Sequence, residues 1–233
     1  MPQATTPIVL LRHAQSEWNL AQRFTGWANP GLTEAGRLEA RAAGERLAEL
    51  GYRFDAAACS LLQRTHETLG ELLIAMDHAP LPVRAEWRIN ERHYGALEGL
   101  SKPEMMTRYG AEQFQRWRRS YRERPPLLAE DDPRHPRNRE EYRSLGPEAW
   151  TAGESLADTE RRIARWWQET ALPAARAGKR LLVVSHGNTL RALIKHLDRL
   201  SPSQVEALEV PTGRPLAYQV GADGRLHGGH RYL

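Results

Sequence analysis

The chain has 233 residues, of which 40% are hydrophobic and 27% are charged, and this balance excludes an intrinsically disordered protein. Its apolar stretches are far shorter than the roughly 20 residues of a membrane span, and residues 1–7 lack a signal-peptide pattern. We therefore expect a cytoplasmic protein without a membrane partner. Cys59 is the single cysteine, which excludes an intrachain disulfide, and the formal net charge of +4 is compatible with an acidic ligand.

The first half of the chain predicts alternating strands and helices. A buried strand over 8–11 ends in Arg12 and His13, a loop covers 16–30, and a helix covers 33–51. The apolar stripe of that helix is predicted to consist of Leu38, Ala42, Leu47 and Leu50. The alternation continues with a strand over 54–60, a helix over 61–76 and a strand over 81–87. This order favours parallel strand pairing.

At the start of the second half, the predicted alternation of strands and helices is interrupted. Helical stretches near 103–109 and 112–122 lead into a proline-rich segment, and we expect an insertion over about 102–152 that covers the crevice. The remaining predicted elements are a helix over 154–172, a strand over 181–184, a helix over 189–197, and closing strands over 215–220 and 225–232. The sequence therefore predicts a single α/β domain over 1–233, with a mostly parallel central sheet flanked by helices on both faces.

Polar side chains follow several of the predicted strands. The first strand ends in His13, Arg64 lies one helical turn beyond the second, Glu91 follows the third, and His186 follows the strand over 181–184. Because parallel strands end at the same edge of a sheet, we expect these groups to form one site. A neutral imidazole can accept a phosphoryl group, cations can neutralise its oxygens, and a carboxylate can move a proton. The pattern predicts phosphoryl transfer without a metal ion.

Several motifs resemble the cofactor-dependent phosphoglycerate mutases of the histidine phosphatase superfamily. They occur in family order over nearly the whole chain: LRH at 11–13 with Ser16 and WN at 18–19, FTGW at 24–27, NERHYGALEGL at 90–100, WRR at 117–119, and HGNTLRAL at 186–193. The resemblance implies a histidine-phosphatase-like fold. It also implies interconversion of 3-phosphoglycerate and 2-phosphoglycerate, an isomerase reaction of glycolysis and gluconeogenesis, primed by 2,3-bisphosphoglycerate.

The resemblance also implies roles for individual residues. It makes His13 the nucleophile that carries the phosphoryl group, Glu91 the proton donor and acceptor, and His186 a stabiliser of the transferring group. The substrate-binding residues it implies are Arg12, Ser16, Asn19, Thr25, Gly26, Arg64, Arg92, Tyr94, Lys102, Arg118, Arg119, Gly187 and Asn188. The expected partners are small phosphorylated three-carbon acids rather than nucleic acid, and the family implies a homo-oligomer, either a dimer or a tetramer.

Three features depart from the family pattern. Ala14 and Gln15 stand where the family usually has glycine and glutamate, and the chain ends at Leu233, where family members often continue into a mobile tail. If position 14 requires a positive φ, alanine adds strain on the order of 1 kcal/mol. Without a tail to cover the site, water would compete for phosphorylated His13.

Functions other than that of a phosphoglycerate mutase remain open. A phosphatase or a bisphosphoglycerate mutase/phosphatase would use the same phosphohistidine. A nucleic-acid-binding module would account for the positive charge but not for the histidines at the strand ends. A catalytically inactive phosphate sensor is suggested only by Ala14 and Gln15.

Overall fold

The computed structural model describes residues 5–233, and its centre is a six-stranded sheet. The strands are β1 (Thr5–Arg12), β2 (Ala56–Cys59), β3 (Val83–Ala85), β4 (Leu181–Ser185), β5 (Leu216–Gly221) and β6 (Arg231–Tyr232). Their spatial order is β3-β2-β4-β1-β5-β6. The pairs β3–β2, β2–β4 and β4–β1 are parallel, whereas β5 is antiparallel to both β1 and β6. The predicted parallel pairing is confirmed for β3, β2, β4 and β1, and the antiparallel pairings of β5 make the sheet mixed.

Helices cover both faces of this sheet. They are α1 (Glu17–Leu20), α2 (Glu34–Glu49), α3 (Gln63–Ala75), α4 (Lys102–Arg119), α5 (Glu140–Arg143), α6 (Leu156–Trp166), α7 (Leu172–Arg176), α8 (Gly187–Asp198) and α9 (Pro202–Ala207). A π-helical turn over Trp167–Ala171 joins α6 to α7, which divides the single helix predicted over 154–172. Within residues 5–233, no helix is both long and apolar enough to cross a lipid bilayer.

Alternate residues of β1 divide the core between the two faces. Ile8 and Leu10 belong to a buried cluster with side chains of α6 and α8, whereas Val9 and Leu11 belong to a second cluster with side chains of α2 and α3. All four residues are fully buried. Burying such a side chain contributes roughly 1.5–3 kcal/mol, so β1 is held firmly from both sides. The strand that carries Arg12 and His13 therefore provides a rigid support.

Helix α2 buries only part of the predicted stripe, since Leu47 is fully buried and the other predicted residues are exposed. Leu38 and Leu50 are 56% and 42% exposed. The buried side instead includes two glycines, because α2 lies very close to its neighbours. A Cβ on Gly44 would lie 2.4 Å from the carbonyl oxygen of Leu72, and one on Gly36 would lie 2.1 Å from that of Gln15. Small residues, together with Leu47, mark the packed face of this helix.

The two predicted edge strands are shorter than expected. The strand predicted over 81–87 ends at Ala85, because the Glu86 carboxylate accepts a hydrogen bond from Arg88 N at 3.2 Å and starts a 3₁₀ turn over Trp87–Ile89. The strand predicted over 225–232 is reduced to β6 after a turn in which Gly228 has φ +81°. The last residue nevertheless stays attached to the sheet, since Leu233 N donates to Pro215 O at 3.0 Å.

Only the first part of the predicted insertion covers the crevice. The two helical stretches predicted near 103–109 and 112–122 are confirmed as the two halves of α4, which the non-helical backbone of Gly110 (φ +78°) separates. The proline-rich part packs elsewhere: the rings of Tyr142 and Trp27 lie 4.7 Å apart, and Ala96 N donates to Pro126 O at 2.8 Å. This part of the insertion supports the back of the loops that enter the site, because its partners are loop residues rather than cleft residues.

Candidate active site

The two strand-end histidines lie side by side because β1 and β4 are adjacent and parallel. Arg12 is in register with Ser185, and His13 N donates to Ser185 O at 2.9 Å. The residue that directly follows each of these two strands is a histidine. The centroids of the two imidazole rings, His13 and His186, are 5.0 Å apart, and the ring planes are inclined at 61°.

The hydrogen bonds of His13 fix its tautomer. Nδ1 lies 2.7 Å from the carbonyl oxygen of Ala14, which can only accept, so Nδ1 carries the proton. Burial lowers the pKa of His13 well below its usual value, and the charges of Arg64 and Arg12 lower it further. The ring is therefore neutral, and Nε2 retains its lone pair. Arg64 Nε donates to Nε2 across a long 3.3 Å contact.

His186 is completely buried and lies behind His13 rather than in the cleft. Its Nε2 is 2.7 Å from Ser60 Oγ, whereas its Nδ1 is buried without a hydrogen-bond partner among residues 5–233. Burial lowers the pKa of His186 well below its usual value, with a further contribution from Arg64. The imidazole is thus neutral and fixed against the ring of His13, with one nitrogen uncommitted.

Two arginines flank His13 with their guanidinium groups anchored to backbone carbonyls. Arg64 is fully buried and donates to Ala28 O and Gly26 O, both at 2.9 Å. Arg12 donates through Nη1 to Val210 O at 2.8 Å, while its Nε is buried and unpartnered within the described part of the chain. These carbonyl contacts orient the two cations without neutralising their charge, which suits them to bind an anion.

The side-chain carboxylate of Glu91 lies at the N-terminus of α8. Its Oε1 accepts hydrogen bonds from Asn188 N at 3.2 Å and from Arg92 N at 2.8 Å. The Asn188 side chain donates to the hydroxyl of Tyr94 at 3.1 Å, so four predicted residues form one network. A helix N-terminus stabilises a carboxylate. The Asn188 amide, which the resemblance assigns to the phosphoryl group, donates its hydrogen bond to Glu91.

Helix α4 brings three further cations to the cleft. Lys102 lies at its first turn, and Arg118 and Arg119 lie at its last. The kink at Gly110 separates these two ends. Lys102 is largely buried, and desolvation lowers its pKa. Arg119 forms an ion pair with Glu209, whereas Lys102 and Arg118 have no carboxylate within 4 Å in the described region. Unpaired cations of this kind favour an anionic ligand.

The cleft between these groups has a volume of about 110 Å³. The predicted residues that line it are Arg12, His13, Asn19, Thr25, Gly26, Arg64, Glu91, Tyr94, Lys102, Arg118, Arg119, Gly187 and Asn188. Across residues 5–233, no cluster of three or more His, Cys, Asp or Glu side chains is arranged to hold a metal ion.

Ser16 and Arg92 were predicted to bind substrate, but the structure does not bring them into the cleft lining. Ser16 is fully buried and caps α1, where its Oγ accepts from Asn19 N at 3.3 Å. Arg92 is also fully buried, with its guanidinium 4.5 Å from the ring centre of Tyr94 and 2.6 Å from the carbonyl oxygen of Trp117. Both side chains support residues that do line the cleft.

Arg191, Glu209 and Val210 line the cleft but were not predicted from the sequence. Arg191 is 3% exposed, and its Nη1 donates to Asn188 Oδ1 at 2.8 Å. Its position one helical turn after Asn188 is a sequence signal that could have identified it. Glu209 and Val210 reach the cleft only through the fold, and no local pattern marks them.

The condition for strain at Ala14, a positive φ, is not met. Among non-glycine residues of the described chain, positive φ angles occur at Gln22, Asp77 and Arg199, and not at Ala14. The methyl group of Ala14 is buried beside Leu32, and its amide donates to Thr68 Oγ1 at 3.1 Å. Alanine therefore fits this position without a conformational penalty.

The sequence matches the histidine phosphatase superfamily, branch 1, over residues 8–139 and 127–224. The chain belongs to this superfamily. Its members are phosphoryl-transfer enzymes, and the neutral strand-end imidazole of His13 among cations is consistent with such chemistry.

Solved structures confirm the fold. The α-ribazole phosphatase of Shigella flexneri is 22% identical, with a TM-score of 0.72 over 98% of this chain and 96% of that one. A mycobacterial glucosyl-3-phosphoglycerate phosphatase is 21% identical, with a TM-score of 0.69 over 98% of this chain and 97% of that one. YhfR of Bacillus stearothermophilus is 22% identical, with a TM-score of 0.72 over 95% and 94%. At these identities the likeness concerns the fold alone.

Proposed function

We propose that this protein interconverts 3-phosphoglycerate and 2-phosphoglycerate through a phosphohistidine at His13. The observation that carries the proposal is the set of cations on α4. Arg12 and Arg64 suffice to hold one phosphoryl group beside His13. Lys102 and Arg118 face the same cleft without a carboxylate partner in the described region and match a second anionic group on the substrate. A phosphorylated carboxylic acid carries two such groups.

The proposed chemistry uses groups that the geometry holds in position. The lone pair on His13 Nε2 takes the phosphoryl group, and the guanidinium groups of Arg12 and Arg64 neutralise its oxygens. Glu91, held by the amides of Arg92 and Asn188, takes the proton of the attacking hydroxyl and returns it to the leaving oxygen. His186, whose ring centroid lies 5.0 Å from that of His13 and outside the cleft lining, would hold the His13 imidazole in place.

The site also fits 2,3-bisphosphoglycerate as the priming cofactor. Arg12 Nε is buried without a partner among residues 5–233, and it lies beside Gly187, where a Cβ would come within 3.2 Å of that atom. The unpartnered donor and the cations of α4 would hold its two phosphates. When bound, it would supply the phosphoryl group that primes His13.

A phosphatase is the second candidate. It is favoured by the similar structures, which include an α-ribazole phosphatase and a glucosyl-3-phosphoglycerate phosphatase. The same His13 would accept the phosphoryl group, and water rather than a substrate hydroxyl would remove it. The α4 cations do not discriminate against this reaction, but simple hydrolysis does not require them.

Phosphorus NMR of the purified protein with 3-phosphoglycerate distinguishes the two candidates. With a trace of 2,3-bisphosphoglycerate, we expect 2-phosphoglycerate to accumulate to equilibrium, and we expect His13→Ala to reduce the rate by at least ~10³-fold because the nucleophile is lost. His227→Ala, on an exposed turn, serves as the control and should match wild type. Release of inorganic phosphate without 2-phosphoglycerate would replace the mutase proposal with the phosphatase.

A further inference from the structure

A buried carboxylate, that of Glu98, lies behind the cleft, and the proposed chemistry does not use it. Glu98 is 5% exposed, and burial raises the pKa of its carboxyl group. The nearby cations, Arg134 and Arg139, form their ion pairs with other carboxylates. Because burial of a carboxylate without an ion-pair partner is costly, the hydrogen bond that Glu98 accepts indicates its role.

The hydrogen-bond donor to Glu98 is a peptide group of the loop that enters the cleft. Glu98 Oε2 accepts a hydrogen bond from Trp27 N at 2.7 Å. This close approach requires a glycine at position 26, where φ is +52° and a Cβ would lie 2.6 Å from the same oxygen. The peptide group between Gly26 and Trp27 is planar, so a contact that holds its N–H group also fixes the direction of its carbonyl group.

The carbonyl group of the same peptide binds the buried arginine beside His13. Arg64 Nη2 donates to Gly26 O at 2.9 Å, and Arg64 Nε donates to His13 Nε2 at 3.3 Å. A single peptide group therefore connects the carboxylate of Glu98 to the guanidinium group of Arg64. Hydrogen bonds in such a chain polarise one another, which makes the Gly26 carbonyl a stronger acceptor.

Glu98 and Arg64 carry opposite charges but form no direct ion pair. Burial lowers the pKa of Arg64 to about 10, and the charge of Glu98 is among those that oppose this shift. A direct ion pair would use the donors of Arg64 and offset its charge. Contact through the peptide instead orients the guanidinium group and leaves it in the cleft lining, where it can bind an anion.

We infer that Glu98 is a positioning residue, which sets the orientation of Arg64 toward His13 through the peptide between Gly26 and Trp27. The inference rests on the proposed function only in that His13 accepts a phosphoryl group, and it applies to a mutase and to a phosphatase alike. Misplacement by about 1 Å of a group that holds the reacting atoms can cost on the order of 100-fold in rate. Loss of the Glu98 oxygen should therefore lower kcat more than it raises KM.

Three substitutions of Glu98 separate the position of the acceptor from its charge. Glu98→Gln keeps an acceptor oxygen at the same reach without the charge, so we expect kcat within about threefold of wild type. Glu98→Asp keeps the charge but is one methylene shorter, and we expect kcat to fall about tenfold. Glu98→Met has neither acceptor nor charge, and we expect kcat to fall on the order of 100-fold, with KM for 3-phosphoglycerate within about threefold of wild type.

Orthovanadate serves as a second probe, because it binds where the phosphoryl group is held and requires no turnover. Isothermal titration should show binding at least ~10-fold weaker in Glu98→Met than in wild type and nearly unchanged in Glu98→Gln. A role of Glu98 in stability alone would lower the unfolding midpoint in urea but would leave the vanadate affinity of the folded protein unchanged.

The matched control is Glu67→Met, which removes a similar contact between a carboxylate and a loop peptide. Glu67 Oε2 accepts from Leu32 N, also at 2.7 Å. The carbonyl of that peptide, Gly31 O, accepts from Glu17 N and not from Arg64. We expect Glu67→Met to lower stability while kcat and vanadate affinity stay within about twofold of wild type.

The outcomes separate this inference from the proposed function. A kcat of Glu98→Asp equal to that of wild type, or a larger loss in Glu98→Gln than in Glu98→Asp, would overturn the inference. An equal loss in Glu67→Met would do the same. The comparison of Glu98→Gln with Glu98→Asp decides the matter even if Glu98→Met does not fold.

If wild type releases inorganic phosphate and forms no 2-phosphoglycerate, the mutase proposal fails. The same order of variants in the rate of phosphate release would then support the role of Glu98, and any other order would overturn it. If wild type forms no phosphohistidine at His13 and does not bind vanadate, both proposals fail.

Discussion

The cleft and a second groove of the molecule are both rich in arginine, yet their charges are arranged differently. The second groove, called the arginine groove here, is lined by Arg88, Arg124, Arg161, Arg162 and Arg165 together with Glu148, Glu154 and Asp158. Each of these arginines forms an ion pair. In the cleft, Arg12, Arg64 and Arg118 lie instead against carbonyl oxygens or aromatic rings.

The difference shows that arginine density is a poor guide to a binding site, whereas the absence of a carboxylate partner is informative. A paired guanidinium gains little by binding a further anion, since its charge and donors are already used. A desolvated guanidinium without a carboxylate partner retains both its charge and its hydrogen-bond donors for a ligand. We therefore expect the arginine groove to contribute to structure and the cleft to contribute to ligand binding.

The largest effect should come from breaking the buried ion pair of the arginine groove. Arg162 and Glu154 have side chains that are 8% and 6% exposed, and Arg162 Nε lies 2.7 Å from Glu154 Oε1. Arg162→Met leaves the Glu154 carboxylate buried without its partner, so we expect the free energy of unfolding to fall by about 3–5 kcal/mol in urea titrations. Arg165→Met, at an exposed pair, should leave the unfolding midpoint unchanged. Equal effects of the two substitutions would contradict the structural role.

A smaller effect, on catalysis, should follow removal of an unpaired cation. Arg118→Gln removes one charge-assisted contact to the substrate, which is worth roughly 1.5–3 kcal/mol, so we expect kcat/KM to fall about 10- to 100-fold. Arg161→Gln in the arginine groove is the matched control, since Arg161 is paired with Asp158 and its side chain is 70% exposed. A similar loss in both variants would show that bulk charge, rather than position, governs substrate binding.

The smallest effect concerns pH. Burial holds the pKa of His13 well below the usual histidine value of 6.5, so below that pH the unfolded chain binds a proton that the folded chain excludes. The stability that this neutral imidazole contributes is complete above pH 6.5 and is lost as the pH falls. In His13→Asn, we expect the slope of unfolding free energy against pH between 6 and 5 to decrease by about 1 kcal/mol per pH unit. An unchanged slope, relative to wild type and to His227→Asn, would show that His13 is charged in the folded protein.

The sequence predicted those parts of the site whose signal is local. His13 and His186 each follow an apolar strand directly, so chain order and strand pairing alone bring them together. The spacing of Arg191 one helical turn after Asn188 is a usable sequence signal, but its hydrogen bond to Asn188 and its burial depend on the fold. Glu209 reaches the cleft from a loop after α9, where no periodicity marks its direction.

The errors in the fold have a similar cause. Hydrophobicity alone predicts that Leu38 and Leu50 are buried, but α2 packs so closely that Gly36 and Gly44 face its neighbours. Length alone predicts that the proline-rich part of the insertion covers the crevice. Its actual support of Trp27 depends on an aromatic contact across more than a hundred residues, which composition does not encode.

The register of β1 against β4 has a consequence for how this protein tolerates change in length. Arg12 faces Ser185 across the two strands, and the histidines follow one residue later on both. Insertion or deletion of one residue in either strand would turn its histidine toward the opposite face of the sheet, because side chains alternate along a strand. Point substitutions around the site can thus adjust the reaction gradually. Indels in these strands would instead abolish the histidine pair in a single event, which confines length variation to the loops.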